Sequence, residues 1–150
     1  MELRLAKILK GVDRIAIDTA PFIYFIEENK SYIDILDVLF TRINEGRLTA
    51  YTSVVTLIEV LTKPIEDGNE ELVERYSAIL TNSSHLSVVD IDSSMAVEVA
   101  RLRAKYHIKT PDAIQIATGI VNDAKVFITN DVNLKRVKEI KVLLLDDLLK

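Results

Sequence analysis

Cysteine is absent from the 150-residue chain, which excludes disulfides, thiolate metal sites and a cysteine nucleophile, and leaves no pointer to an oxidising compartment. Glycine is scarce, and Gly11, Gly46, Gly68 and Gly119 all stand alone. No G-x-G-x-x-G, G-x-x-x-x-G-K or G-x-S-x-G can be assembled from them, so dinucleotide binding, P-loop chemistry and the usual hydrolase triad are excluded. Histidine is limited to His85 and His107, neither at metal-ligand spacing. With no thiolate either, zinc and copper lack their customary ligands. Long apolar runs are missing too: they stop at about five residues, against the ~20 needed to span a bilayer. The N-terminal MELRLAKILKG carries charges where a signal peptide has its apolar core. These absences lead to the expectation of a soluble, cytoplasmic protein with no membrane partner.

What is present is apolar and evenly distributed. Hydrophobic residues make up 49% of the chain, enough at this length for one core that buries roughly two thirds of the unfolded surface. A single domain over residues 1–150 is the expectation. The net charge of -4 opposes a nucleic-acid partner only if the charges are spread evenly. They are not: cations gather in RLRAKYHIK (Arg101, Arg103, Lys105, Lys109) and in LKRVKEIK (Lys135, Arg136, Lys138, Lys141). Such clusters serve either as solvated faces with cations at a helix C-terminus or as phosphate contacts.

Leu5, Ile8, Leu9 and Val12 recur at helical spacing and Gly11 supplies a glycine stop, which predicts a short N-terminal amphipathic helix within residues 1–12. An alternation then begins. Strands are predicted at Arg14 to Ile17, Leu48 to Thr52, Leu86 to Val89, Val126 to Thr129 and Val142 to Leu145. Helices are predicted between them at Phe22 to Ile26, Ser31 to Glu45, Ser53 to Lys63 closed by Pro64, Glu70 to Leu80, Ser94 to Tyr106 and Thr110 to Asn122. KPIEDGNEE, residues 63–71, reads as a surface loop. Alternating strands and helices imply an α/β fold with a parallel sheet, because parallel neighbours need crossover connections.

Four acids occupy suggestive places in this plan. Asp18 follows the first strand and Asp131 follows the fourth, in VFITND. Either acid suits a helix cap or turn. Both also leave strands at the carboxyl edge, where open parallel sheets bind ligands at the point of strand-order reversal. Asp112, in KTPDAIQIA, falls in the first turn of a helix that Thr110 would cap, a placement worth about 0.3 to 1 kcal/mol through the helix dipole alone. Glu59 lies in SVVTLIEVLTK, apolar on most sides, and is expected to be partly buried, with either Lys63 or a metal as its partner.

Taken together, the acids favour a cation. Two carboxylates about 5 Å apart at an effective dielectric near 20 repel by roughly 3 kcal/mol, more than two pKa units. A cluster of them is a liability unless hard cations such as Mg²⁺ or Mn²⁺ occupy it. A solvent-open site of that kind suits phosphodiester hydrolysis.

The segments AIDTAPFIYFIEE, TSVVTLIEVLTKP, TPDAIQIATGI and VFITND resemble, in order and spacing, the four motifs of PIN-domain ribonucleases, most closely VapC-type toxins of prokaryotic toxin–antitoxin pairs. The resemblance runs from Arg14 onward. It implies a three-layer α/β/α fold with a five-stranded parallel sheet in the order 3-2-1-4-5. It also implies a Mg²⁺- or Mn²⁺-dependent endoribonuclease that leaves a 5′-phosphate and a 3′-hydroxyl, forms a homodimer and is held inactive by an antitoxin. By motif, Asp18 and Asp112 would be the main metal ligands, with Glu59 and Asp131 completing the shell, partly through water. Thr129 and Asn130 match the polar residues beside the fourth acid, and Ser53 or Thr19 would orient ligands or water from behind. Two rivals are a PIN nuclease of RNA processing outside any toxin pair and a non-catalytic PIN-like module that binds RNA or protein. Phosphotransferases of the haloacid dehalogenase type want a second acid where this chain has Ala20.

Overall fold

In the computed structural model, which describes residues 1–150, five strands form one sheet: β1 (Arg14–Ile17), β2 (Thr49–Ser53), β3 (Leu86–Val89), β4 (Val126–Thr129) and β5 (Lys141–Leu144). Their order is β3-β2-β1-β4-β5, and every pairing is parallel. Ile15 sits beside Ala50 on one side and Val126 on the other, which makes β1 the central strand. The order reverses between β1 and β4. Helices α1 (Glu2–Ile8), α2 (Thr19–Ile26), α3 (Ile33–Asn44), α4 (Val54–Glu66), α5 (Glu70–Asn82), α6 (Ser93–Tyr106), α7 (Thr110–Val121) and α8 (Leu145–Leu149) complete the chain. The α/β/α architecture and strand order are those expected.

Side chains of a strand alternate between faces, and both faces here are covered. Ile15, Ile17, Val126, Ile128 and Leu143 enter one core with Phe22, Leu36, Leu39 and Leu80. Ala16, Phe127 and Val142 point the other way, to Met95, Leu102, Ile116 and Ala117 on α6 and α7. Burial on both sides is why these strands read as continuous apolar runs. Each fully buried Leu, Ile or Phe contributes about 1.5–3 kcal/mol relative to exposure. The N-terminal helix is part of this core: Leu5 and Leu9 are buried in it, and Arg42 Nη1 on α3 donates to Glu2 Oε1 at 2.6 Å.

Three local expectations change. Pro64 does not close α4, which continues to Glu66 with the proline buried inside it. A proline removes one helical hydrogen bond, here that to Val60 O. The chain turns only at Gly68, whose φ of +66° lets Asn69 N bond back to Pro64 O at 2.9 Å. The expected loop over residues 63–71 is therefore three residues, Asp67 to Asn69. Thr110 is the first residue of α7 and not its cap, since Lys109 takes the extended cap position without a side-chain bond and Pro111 follows in the first turn. Two elements were not expected at all: a 3₁₀ turn over Val132–Arg136 and the five-residue α8.

Candidate active site

Asp18, Thr129 and Ser53 all stand where strands β1, β4 and β2 end, at the carboxyl edge of the sheet. Asp18 is the N-cap of α2: its Oδ1 accepts from Thr19 N at 2.8 Å, and its Oδ2 accepts from Thr129 Oγ1 at 2.7 Å. The capping role and the strand-end position are thus one geometry. Burial is the main force on this carboxyl and pushes its pKa up to about 6. The bonds from Thr129 and Thr19 oppose that rise, while the charges of Asp112 and Glu59 add to it.

Asp112 lies half-buried in the first turn of α7. Its pKa is raised, first by burial and then by the charges of Asp131 and Glu59, with the Lys109 cation pulling against them. Glu59 on α4 thus acts on both Asp18 and Asp112, and Asp131 after β4 acts on Asp112.

Glu59 corrects an expectation. It is exposed and not buried, because the apolar side of α4 does not run where its sequence suggests. Lys63 is not its partner: that ammonium pairs with Asp67 at 3.3 Å. Glu59 Oε1 instead accepts from Thr19 Oγ1 at 2.5 Å. Asp131 is exposed too and caps the 3₁₀ turn, accepting from Asn133 N at 3.0 Å, while its own N–H donates to Thr129 Oγ1 at 3.1 Å. No three of the acids close into a ligand cluster in this conformation. Two of them are held at the rim by Thr19 and Asn133.

The supporting residues divide. Thr129 and Thr19 bond the acids directly. Asn130 turns aside, its Nδ2 donating to Tyr32 Oη at 3.4 Å, and that hydroxyl donates to Asp146 at 2.7 Å. Ser53 caps α4 through Val55 N and reaches no acid; its Oγ donates to Gln115 Oε1 at 2.9 Å. Gln115, Thr52 and Thr56 are buried polar residues that sequence reasoning missed. The one available signal was an amide three residues after Asp112 on an otherwise apolar helix.

Four of the eight clustered cations are engaged elsewhere. Arg103 Nε donates to Ile108 O, Lys105 to Glu139, Arg136 Nη1 to Tyr106 O, and Lys135 pairs with Asp147 at 2.8 Å. Lys109 is the cation whose charge reaches the acids.

The donor set fits a hard divalent cation. It offers carboxylates and hydroxyls without sulfur or imidazole, and the mutual repulsion of the acids is met locally by a single lysine. The chain belongs to the PIN-domain family, whose model matches residues 15–140. Among solved structures its fold is similar to a chain of VapBC2 from Rickettsia felis bound to a promoter DNA fragment, at 18% identity and a TM-score of 0.68, covering 87% of this chain and 98% of that one. It is also similar to a chain of a toxin–antitoxin complex from Klebsiella pneumoniae (19%, 0.65, 86% and 95%) and to one of DNA-bound VapBC from Salmonella typhimurium (20%, 0.61, 89% and 98%). No protein of curated function matches the sequence. No helix is long and apolar enough to cross a membrane.

Proposed function

We propose that residues 1–150 act as one nuclease domain, a Mg²⁺- or Mn²⁺-dependent endoribonuclease that serves as the toxin of a toxin–antitoxin pair in the cytoplasm. The observation that carries this reading is the placement of Asp18 at the carboxyl edge of the sheet, its two oxygens held by Thr19 N and Thr129 Oγ1, with the charges of Asp112 and Glu59 acting on it and that of Asp131 acting on Asp112. The toxin role and the antitoxin partner draw support from the likeness to VapBC structures and to one described as a toxin–antitoxin complex; the homodimer is what the resemblance to VapC-type toxins implies.

Asp18 and Asp112 are the proposed main metal ligands, with Glu59 and Asp131 contributing from the rim. A divalent cation held by these acids would supply charge neutralisation at the phosphate and activation of the attacking water. The chain's own residues do the rest. Thr129 and Thr19 N hold both oxygens of Asp18 in place, and Thr19 Oγ1 holds Glu59. Lys109 is placed to meet a substrate phosphate. In the reaction a water oxygen bonds to phosphorus, the P–O3′ bond breaks, and the 3′ oxygen leaves as a hydroxyl, giving a 5′-phosphate.

Incubating purified protein with labelled single-stranded and structured RNA, with Mg²⁺ or with excess EDTA, tests this. Internal cleavage is expected with the metal and none with the chelator, and the products carry 5′-phosphates. Cleavage that survives EDTA contradicts the reading. A non-catalytic PIN-like module draws support from the absence of a closed three-acid cluster, and no Mn²⁺ binding by calorimetry favours it.

A further inference from the structure

Behind the acids lies a buried polar network centred on one amide. Gln115 is buried on α7, in a helix whose neighbours Ala113, Ile116 and Ala117 belong to the core. Its Oε1 faces Ser53, from which it receives Oγ at 2.9 Å and the backbone N–H at 3.3 Å. A backbone N–H can only donate, so the amide is fixed with its oxygen toward Ser53 and its NH₂ toward the acids. The two Nε2 protons go to Thr56 Oγ1 at 2.7 Å and Thr19 Oγ1 at 3.1 Å. All four hydrogen-bonding positions of the amide are filled.

The amide anchors two hydroxyls whose proton directions are fixed by the acceptors beyond them. Thr56 Oγ1, accepting from Gln115, gives its proton to Thr52 Oγ1 at 2.7 Å, and Thr52 in turn donates to Ile17 O at 2.8 Å, the carbonyl directly before Asp18. Thr19 Oγ1, also accepting from Gln115, gives its proton to Glu59 Oε1. The 3.3 Å approach of Thr19 Oγ1 to Thr56 Oγ1 is left with no proton to share. One buried amide thus anchors two chains, one ending on the strand end that carries Asp18 and the other on Glu59.

We propose that Gln115 is a positioning residue of the acid site. By donating to Thr19 Oγ1, it fixes the position of the hydroxyl that in turn donates to the exposed Glu59 carboxylate. The proposal rests on the metal-nuclease reading above. Removal of groups that orient metal ligands typically weakens metal affinity by tenfold or more. A tie serving only to join α7 to α2 and α4 would lower stability and leave metal affinity unchanged.

Calorimetric titration of Mn²⁺ into the wild type, Gln115→Met, Thr19→Val and the double variant, with circular dichroism melts of each, separates these cases. Gln115→Met keeps the size of the side chain and removes its polarity, and Thr19→Val removes the hydroxyl that relays to Glu59. Each single change is expected to weaken Mn²⁺ binding about tenfold, and the double change no further, because both interrupt the same relay. Thr19→Ser, which keeps the hydroxyl, is expected to bind as the wild type does. If Gln115→Met does not fold, Gln115→Glu carries the same expectation: it puts an acceptor where the NH₂ stood and draws the Thr19 proton away from Glu59. Folded single variants with wild-type affinity, or losses that multiply in the double variant, overturn the proposal and leave the nuclease reading standing. A wild type that binds no Mn²⁺ overturns both.

Discussion

Asp18 is a buried carboxyl held by two donors, and it is also the group on which burial acts most strongly in the site. Its pKa in the folded chain is about 6, against an ordinary value of 3.8. The folded state therefore holds the Asp18 proton more tightly than the unfolded chain does. Below about pH 4 that preference stabilises the metal-free fold in full; it is lost as pH rises from 3.8 to about 6, after which the ionised group opposes folding. A shift of this size corresponds to about 3 kcal/mol. Chemical denaturation of metal-free protein between pH 4 and 7 is expected to show this decline, superposed on the other titrations. Asp18→Asn is expected to flatten it and to make the metal-free protein more stable at pH 7. A variant less stable than the wild type at pH 7 would contradict this account of Asp18.

At the scale of elements, the site depends on how closely α7 approaches β1. Gly119 sets that distance: a Cβ built there would lie 2.8 Å from Ala16 Cβ and 3.0 Å from Ile140 Cδ1. Ala16 belongs to the central strand and cannot move aside, so a side chain at 119 must push away the helix that carries both Asp112 and Gln115. Gly119→Val is expected to destabilise the fold by about 2 kcal/mol, a fall in melting temperature of roughly 4–8 °C. An unchanged melting temperature would show that the close approach is unimportant. The strands and long helices were legible because their apolar periods are uninterrupted, and Asp18, Asp112 and Asp131 were legible because strand ends and a proline-marked helix start locate them. Glu59 misled. Ile58 and Ile65 on α4 are 63% and 61% exposed, so the apolar character around Glu59 does not signal burial. Gln115 went unread because a lone amide in an apolar helix has no periodic signature. The five-residue α8 is too short to show one.

For the whole molecule, the sheet brings toward one edge four acids from distant stretches of chain, Asp18, Glu59, Asp112 and Asp131, in a chain of net charge -4. A phosphate-bearing substrate approaches such an edge favourably only when cations offset the carboxylates. Lys109 is one; the proposed divalent ion is the other. Half of the basic residues that promise a larger phosphate surface in the sequence bind the protein itself, as Arg136 does Tyr106 O and Lys135 does Asp147. The metal thus carries the main burden of charge compensation in this account. The most direct test is the rate of RNA cleavage at saturating Mg²⁺ by Asp112→Asn beside the wild type, with folding checked by circular dichroism. A folded Asp112→Asn variant is expected to cut at least about a hundredfold more slowly, a loss of about 2.7 kcal/mol in transition-state stabilisation. A folded variant that cuts RNA at the wild-type rate would contradict the four-acid metal site.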